Sequence, residues 1–390
     1  MEKFLRRTWA EIDLDALAHN YRIIRERMGP KSKYLGVVKA DAYGHGAVWV
    51  AKKLEQLGAE YLGVSNLEEA QELRHHGLTL PILLLGYTPS DMTEALIDSR
   101  VTQDVPSLEM ARAYSAAAAA CGKILTVHLK LDTGMGRLGF RCDEAYFQQS
   151  FEEILEALKL PNLAWEGVFM HFCVSDEPDK ASSREFTRAQ YQRFSHMVNE
   201  VETRAGITFP IHHCCNSGGV AFYPQYAWDM CRPGVILFGT EPMSRTLGLK
   251  PVMTLKTTVG PVKDYAPETS VSYGRTYFTE GEQRIGVLPI GYADGLRRCL
   301  SGKWEMLTPK GPAKIRGRVC MDMCMIDLTD LPDVHTGDEV EVFGPNNPVE
   351  NMAEVAGTIT YELTCDVSKR VPRVYLENGE MTDRHLQLLL

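Results

Sequence analysis

Long apolar runs are missing from this sequence. The longest, such as Pro81–Leu85, are far shorter than the roughly 20 residues that a membrane-spanning helix needs. The opening Met1–Trp9 has charges but no apolar stretch of the kind found in secretory signals. An excess of positive charge is also missing, because the net charge is −9 and the isoelectric point is near 5.7. Nucleic acids and anionic membranes would be repelled, so we expect a cytoplasmic protein without either partner.

Disulfide and metal motifs are equally scarce. The ten cysteines come without a secretion signal, so we expect reduced thiols that mostly fill core positions. His212–Cys215 combines histidines with cysteines, but it lacks the CxxC or HxxxH spacing of a zinc site and alternates like a buried strand. We therefore predict no metal. A GxGxxG turn, which a doubly wound dinucleotide-binding sheet would want after its first strand, is absent as well.

The first part of the chain contains strand-like apolar runs separated by segments with helical periodicity, such as Ala47–Leu57 and Met110–Ala120. Eight β/α units in about 240 residues match the usual span of a (β/α)8 barrel, roughly 250 residues. We predict an N-terminal TIM-type (β/α)8 barrel over residues 1–240. Its strands would be Tyr34–Val38, Tyr61–Val64, Ile82–Leu85, Val101–Val105, Leu125–Leu131, Trp165–Phe172, Ile211–Cys215 and Val235–Phe238.

The pattern changes after Phe238, where short alternating stretches replace helical periodicity until Met352–Val355. This predicts a C-terminal, mainly β domain over residues 241–390. Thr8–Ile12 precedes the first barrel helix, Leu14–Met28, and could pair with either domain. The predicted C-terminal strands are Leu255–Val259, Ile285–Pro289, Glu305–Leu307, Ala313–Arg316, Met323–Asp327 and Glu339–Phe343.

Lys39 follows the first predicted barrel strand directly and precedes small residues, glycines and a tyrosine. A lysine at a strand end, with its stem among apolar neighbours, loses its charge more readily than one in water, as an amine must to form a Schiff base. The same pattern also fits an ordinary surface lysine after a strand.

Other polar groups fall at the carboxyl ends of predicted strands, where barrel enzymes place their active sites. Asn216–Gly219 follows strand seven and Arg232–Val235 precedes strand eight, and such turns suit a phosphate. Asp132 and Arg137 follow strand five, and His171 lies near the end of strand six. Taken singly, Asp132 and Arg137 also fit a structural ion pair, and His171 a core histidine.

Val38–Gly46 resembles the lysine motif of alanine racemases, which binds pyridoxal 5'-phosphate (PLP). The resemblance covers nearly the whole chain, although Cys173–Ser175, Cys214–Cys215, Gly218–Gly219 and Phe238 depart from the common family wording. Further segments match family motifs in order and spacing: Lys130–Arg137, His171–Phe172, Asn216–Ser217, Arg232–Gly234, Ser272–Gly274, Gly291–Gly295, Arg318–Asp322 and Tyr361–Glu362.

The resemblance implies a cofactor site. Lys39 would hold PLP, Arg137 would donate to its phenolic oxygen, and Arg232 would face its ring nitrogen. Lys130 is either carbamylated, so that it orients Arg137, or a plain cation beside Asp132. The implied cofactor-binding residues are Lys39, Tyr43, Arg137, His171, Asn216, Ser217, Arg232, Gly234, Val235 and Tyr361.

The resemblance also implies racemisation of alanine by two bases, one on each face of the α-carbon. Lys39 would be one and Tyr273, from the second subunit of a homodimer, the other, with His171 tuning it. A phenol with an ordinary pKa of about 10 needs such help. The substrate would meet Arg137, Met321, Tyr292 and Tyr361, and the access channel would be lined by Asp176, His213, Arg298 and Arg318.

An arginine opposite the ring nitrogen favours racemisation over other PLP chemistry. A guanidinium keeps its proton at neutral pH, so it leaves the ring nitrogen unprotonated and the ring a weaker electron sink. A decarboxylase would usually have an acid there, and a PLP carrier would not explain the second domain. We therefore expect an enzyme that supplies D-alanine for peptidoglycan.

Overall fold

The computed structural model describes residues 7–389, and these residues form two compact units. The barrel unit comprises residues 21–42 and 47–237. The β unit comprises residues 43–46 and the described parts of the two terminal segments, 7–20 and 238–389.

The strands and helices follow in chain order. The strands are β1 (Thr8–Asp13), β2 (Lys33–Val37), β3 (Tyr61–Val64), β4 (Ile82–Leu84), β5 (Val101–Val105), β6 (Leu125–Asp132), β7 (Phe140–Arg141), β8 (Leu163–Phe169), β9 (Ile211–His213), β10 (Met230–Cys231), β11 (Met253–Thr258), β12 (Val262–Tyr265), β13 (Ser270–Val271), β14 (Tyr277–Phe278), β15 (Gln283–Leu288), β16 (Glu305–Thr308), β17 (Gly311–Lys314), β18 (Cys324–Asp327), β19 (Glu339–Phe343), β20 (Arg373–Glu377) and β21 (Glu380–His385). The helices are α1 (Leu14–Met28), α2 (Lys39–Gly44), α3 (Ala47–Leu57), α4 (Leu67–His75), α5 (Thr93–Asp98), α6 (Leu108–Ala120), α7 (Phe147–Ala157), α8 (Ala181–Ala205), α9 (Ser217–Phe222), α10 (Pro242–Thr246), α11 (Val349–Ala356) and α12 (Thr360–Cys365).

The barrel unit is built on parallel strands in the order β10-β2-β3-β4-β5-β6-β8-β9. The two ends of this series approach each other, since the Arg232 N–H donates to the Cys215 carbonyl at 2.9 Å. The result is a nearly closed parallel barrel of eight strands. The predicted (β/α)8 fold is confirmed, and the carboxyl ends of its strands meet at one mouth.

The eighth predicted strand is wrong in its position. Val235–Phe238 forms a 3₁₀ helix, and Met230–Cys231 is the strand that pairs with β2. A short buried apolar run fits a strand or a helix equally well by periodicity, and here the Leu237 N–H donates to the Gly234 carbonyl at 2.9 Å. Arg232 therefore follows the last strand rather than preceding it, which brings it to the same mouth as Lys39.

Predicted helices agree closely with the structure. Leu14–Met28 and Ala47–Leu57 have the predicted bounds. The helix predicted over Met110–Ala120 begins at Leu108, because the Ser107 side chain accepts a hydrogen bond from the Met110 N–H at 3.2 Å and caps the helix.

The β unit is mainly β, as predicted. Its largest sheet has the order β17-β16-β19-β11-β1-β20-β21. β1 lies inside it, antiparallel to β11 and parallel to β20, so Thr8–Ile12 pairs within this unit. Smaller sheets join β12, β15 and β18, and β13 with β14. The sequence prediction missed several short strands here, among them β12, β13, β14, β20 and β21.

Two properties of the described residues concern membranes and thiols. Within residues 7–389, no helix combines the length and apolar character needed to cross a lipid bilayer. All ten cysteines are free thiols in the structure, as expected for reduced side chains.

Candidate active site

Lys39 begins an unusual left-handed turn at the end of the first barrel strand. Ala40, Asp41, Ala42 and Tyr43 have φ angles of +52°, +53°, +51° and +55°. Each residue in this conformation costs roughly 1–2 kcal/mol relative to a right-handed one, so the surroundings must hold the turn. The Ala42 N–H donates to Val38 O at 2.8 Å, the Ala47 N–H to Asp41 Oδ1 at 2.7 Å, and the Ala40 N–H to Glu69 Oε1 at 2.7 Å.

Two glycines of the lysine motif are required for steric reasons. A Cβ on Gly44, whose φ is +85°, would lie 2.0 Å from the Thr364 carbonyl oxygen. A Cβ on Gly46 would lie 1.8 Å from the Tyr375 hydroxyl. Both positions therefore require glycine, and they fix the backbone that follows the strained turn.

Arg232 is buried at the end of β10, with 3% exposure. Its Nη1 donates to His213 Nδ1 at 2.9 Å and His213 O at 3.1 Å. Its Nη2 donates to Met170 O at 2.7 Å and approaches His171 Nδ1 at 3.4 Å. Burial lowers the pKa of Arg232 to about 10, so it stays charged near neutrality. Among residues 7–389, no acceptor is found for its Nε–H, which leaves one donor for a ligand.

His213 is fully buried and belongs to the barrel interior. That placement contradicts the expectation that His213 lines an access channel, since a channel residue must meet solvent. Burial holds the pKa of His213 and of His171 well below the usual value, with the Arg232 charge adding to the effect. Both imidazoles are therefore neutral beside the guanidinium.

Lys130 lies on the interior face of β6 and is 7% exposed. Its Nζ sits over the Phe169 ring, 4.0 Å from the centroid, and the described residues give it no hydrogen-bond acceptor. Burial and the Arg232 charge lower the pKa of Lys130. Burial raises the pKa of the fully buried Asp104. The lysine is thus poised to lose its proton.

Asp132 shapes the loop that carries Arg137. Its carboxylate accepts from the Gly134 N–H at 2.9 Å and from the Gly136 N–H at 3.0 Å. The Asp132 carboxylate therefore has a structural role in this loop that does not involve Arg137. The ion pair between Asp132 and Arg137, which the sequence left open, is not needed to explain it. Arg137 itself is exposed.

A turn suited to phosphate follows β9. The Asn216 side chain accepts from the Gly219 N–H at 3.0 Å and caps α9, while Ser217 Oγ accepts from the Gly234 N–H at 3.0 Å and the Ile236 N–H at 3.4 Å. A Cβ on Gly218 would lie 2.7 Å from the Asp176 backbone nitrogen and 2.8 Å from the Ser175 carbonyl carbon, so the turn requires glycine there. The turn thus places the Ser217 hydroxyl beside the Gly234 and Ile236 N–H groups, and hydroxyl and N–H groups are the donors that a phosphate takes.

The predicted site residues of the β unit lie in loops that hydrogen-bond to one another. Ser272 Oγ donates to Arg318 O at 2.8 Å, and the Tyr292 N–H donates to Cys320 O at 3.0 Å. Tyr273 is 73% exposed and Met321 is 53% exposed. These side chains therefore face outward from their own unit.

The structure also places four further predicted site residues. Tyr43 and Tyr361 make an edge-to-face contact in the β unit, with ring centroids 6.3 Å apart. Asp176 and Arg298 are exposed.

The sequence analysis missed the interior acids and one histidine of the barrel, Asp104, Glu166 and His128. The sequence did contain a sign of these residues. A barrel interior normally holds branched apolar side chains, so charged residues at alternate positions of an apolar strand are unusual there. Pairing between distant strands, which the sequence does not show, brings His128 and Glu166 into hydrogen-bonding series with His213 and Arg232.

We expect the barrel to lose stability in acid. His128, His171 and His213 have lowered pKa values because they are buried, whereas unfolded histidine titrates near 6.5. Below about pH 6.5 the unfolded chain therefore binds more protons, and stability is lost as the pH falls. His171 and His213, whose pKa values are lowered furthest, should together remove about 3 kcal/mol per pH unit, and His128 should add a smaller amount.

Urea unfolding at several pH values between 7.5 and 5 measures this slope. Replacing the exposed His335 by Gln should leave it unchanged. If the slope of the unfolding free energy against pH corresponded to the uptake of less than one proton on unfolding, it would contradict the neutral state of the buried histidines.

Comparison with known proteins agrees with this geometry. Family models for the alanine racemase N-terminal and C-terminal domains match residues 12–242 and 252–375. Alanine racemase 1 of Clostridium acetobutylicum is 44% identical over 389 residues, 98% of each chain. The solved alanine racemase of Clostridium difficile 630 is 40% identical, with a TM-score of 0.93 and coverage of 99% of this chain and 100% of that one. A Bacillus anthracis alanine racemase, solved with bound L-Ala-P, is 32% identical, with a TM-score of 0.90 over 100% of both chains.

A parallel barrel with a lysine after its first strand, a buried arginine after its last and a mainly β second part defines a barrel-type isomerase of amino acids. The chain belongs to the alanine racemase family, whose members are PLP-dependent.

Proposed function

We propose that this protein interconverts L-alanine and D-alanine with PLP as its cofactor. The observation that carries the proposal is the buried, charged Arg232, which keeps its Nε–H available at the same barrel mouth as the strand-end Lys39. A guanidinium there donates to a ring nitrogen without giving up its proton. A ring nitrogen that accepts this hydrogen bond would stay unprotonated, so the ring would withdraw electrons less strongly.

The described residues fit PLP. Lys39 would hold the cofactor covalently, and Arg232 would donate to its ring nitrogen. Arg137 would donate to its phenolic oxygen. When bound, PLP acidifies the α-C–H bond of the amino acid by withdrawing electrons. The phosphate would be bound by the turn residues Asn216, Ser217, Gly234 and Val235, with Tyr43 and Tyr361.

Two groups of this protein would then move the proton. We infer that Lys39 Nζ serves one face of the α-carbon and the hydroxyl of Tyr273, from a second copy of the chain, serves the other, with His171 behind it. The Met321 N–H and Arg137 would hold the substrate carboxylate. Tyr292 and Tyr361 would limit the space to a small side chain, and Asp176, Arg298 and Arg318 would line the approach.

An exposed apolar patch supports a homodimer in which residues 241–390 complete the partner's site. The Ala293 N–H donates to Met321 O at 3.0 Å and the Cys320 N–H to Met323 O at 2.9 Å, which joins the segments of Tyr292, Met321 and Met323. Ser272 Oγ donates to Arg318 O at 2.8 Å, and β13 pairs with β14, which connects the segments of Tyr273 and Phe278. Clustered exposed apolar residues mark interaction surfaces. The patch consists of Tyr273 (73% exposed), Phe278 (44%), Tyr292 (44%), Met321 (53%) and Met323 (49%).

We propose further that this reaction takes place in the cytoplasm and supplies D-alanine for peptidoglycan. The free cysteines and the acidic charge are compatible with that compartment.

Chiral analysis of products from a panel of L-amino acids tests the proposal. D-alanine should form fastest, D-serine more slowly, and larger amino acids hardly at all. Release of CO2 without inversion would instead identify a decarboxylase, and no reaction with any amino acid would identify a PLP carrier.

We expect borohydride treatment of the PLP-loaded protein to fix the cofactor to Lys39 Nζ and remove the yellow colour. The reason is its position at the strand end, opposite the phosphate-type turn. Peptide mass mapping locates the adduct. Lys33, at the exposed start of the same strand, is the control lysine, and an adduct there or on any other lysine would overturn the assignment.

We infer that Lys130 is carbamylated, because a nearly buried ammonium without a hydrogen-bond acceptor is costly and its lowered pKa favours the free amine. The amine adds to CO2, forms an N–C bond and releases a proton, which leaves an anion that can orient Arg137. Protein exchanged with 13C-bicarbonate should show one carbamate carbon signal, and the Lys130→Ala variant should lack it. A wild-type spectrum without the signal would leave Lys130 a plain amine.

A further inference from the structure

A continuous series of side chains runs from the buried Arg232 across the barrel interior to the partly exposed Glu166. Arg232 Nη1 is 2.9 Å from His213 Nδ1. His213 Nε2 is 2.9 Å from His128 Nδ1, and His128 Nε2 is 3.0 Å from Glu166 Oε2. Both imidazoles are 0% exposed. Nothing in the reaction proposed above uses His128 or Glu166.

The positions of the hydrogens in this series are fixed by its arginine end. A guanidinium can only donate, so His213 Nδ1 must accept and its single hydrogen must be on Nε2. That hydrogen then points at His128 Nδ1, which must also accept, and the hydrogen of His128 must be on Nε2. Every donor therefore points away from Arg232, and the series needs an acceptor at its far end.

Glu166 is held in place to be that acceptor. Tyr61 donates to its Oε1 at 3.3 Å and Thr102 to its Oε2 at 3.4 Å. Its side chain is 29% exposed. The hydrogen bond from His128 lowers the pKa of Glu166, so the terminal acceptor is a carboxylate at neutral pH.

Without an acceptor at Glu166, the buried Nε2–H of His128 would be unpaired, which is unfavourable. If the hydrogen of His128 moved to Nδ1, His213 Nε2 would have to accept it, and the hydrogen of His213 would move to Nδ1. There it would face the Arg232 N–H. The carboxylate thus excludes the arrangement that would push the guanidinium out of position.

We propose that Glu166 is a positioning residue that, through His128 and His213, keeps the Arg232 guanidinium oriented toward the ring nitrogen of the cofactor. The effect on racemisation rests on the function proposed above. The tautomers of His128 and His213 do not depend on that function. The proposal about Glu166 and the proposed function can therefore fail separately.

The first test reads the tautomers directly. Nitrogen-15 NMR of histidine-labelled holoenzyme, with His128→Gln and His213→Gln used for assignment, should show both residues as neutral Nε2–H tautomers. The Glu166→Met variant should lose this pattern at His128. Glu60→Met, which removes a carboxylate of the barrel unit that is bonded to Arg25 and lies outside the series, should retain it. A wild-type signal from an Nδ1–H tautomer or an imidazolium at His213 would overturn the proposal, even if the variants fold poorly.

The second test asks whether the effect passes through Arg232. Glu166→Met should reduce kcat for racemisation by about tenfold and Glu166→Gln, which keeps an acceptor, by about threefold. KM for alanine should change little. In an Arg232→Lys background, Glu166→Met should cause no further loss, because the side chain it positions is already gone. An equal loss in both backgrounds would show that Glu166 acts by general stabilisation and would overturn the proposal.

Discussion

Lys39→Ala and Tyr273→Ala should each be nearly inactive alone, and a mixture of the two should recover about a quarter of wild-type activity per site. Removing either acid/base should cost about 10²–10⁴ in rate. In a two-fold dimer, dissociation and random reassembly should make about half of the dimers hybrid, each with one complete site and one site that lacks both groups.

The recovery distinguishes two arrangements of the site. If Tyr273 acted on Lys39 of its own chain, each site would still lack one base and mixing would restore nothing. Lys33→Ala and Tyr265→Ala serve as controls that should remain active singly and mixed. Subunit exchange must be shown independently, for example with differently tagged chains. Exchange without recovery would refute the cross-subunit site.

Arg232→Glu should reduce racemisation by about 10²-fold or more and raise the ratio of transamination to racemisation. A carboxylate opposite the ring nitrogen stabilises its protonated form, and a protonated ring withdraws electrons more strongly. Reprotonation away from the α-carbon then competes better, so pyruvate would be released while the amino group would stay on the cofactor as pyridoxamine phosphate. The buried position of Arg232 also removes water that could screen the change.

Parallel assays of D-alanine and pyruvate measure this ratio. Arg232→Lys keeps a positive charge but loses the planar donor, so it should reduce racemisation without raising the ratio. If Arg232→Glu lowered racemisation with no rise in pyruvate relative to D-alanine, the weak electron sink would not explain the presence of an arginine.

Much of the barrel could be predicted from the sequence because buried parallel strands appear as apolar runs between helices. Lys39 could be placed at a strand end for the same reason. The eighth strand was misplaced because Val235–Phe238 is as apolar as a strand, while the true strand, Met230–Cys231, has only two residues. Runs this short carry no periodicity.

The left-handed turn after Lys39 could not be predicted, because alanine, aspartate and tyrosine rarely adopt positive φ and only the surrounding hydrogen bonds enforce it. The series from Arg232 to Glu166 was missed for a different reason. Its members are distant in sequence, and their proximity depends on the register between strands, as in the pairing of His128 with Gly167 across β6 and β8. The sequence shows that polar residues occur within the apolar strands, but it does not show which of them are hydrogen-bonded to one another.

The most direct measurement of the central claim is the reaction of the PLP-loaded protein with L-alanine in D2O. The two-base mechanism predicts that D-alanine forms with deuterium at the α-carbon, that the product approaches an equal mixture of enantiomers, and that Lys39→Ala abolishes both exchange and inversion. Recovery of L-alanine that has neither exchanged its α-hydrogen nor inverted would contradict the account.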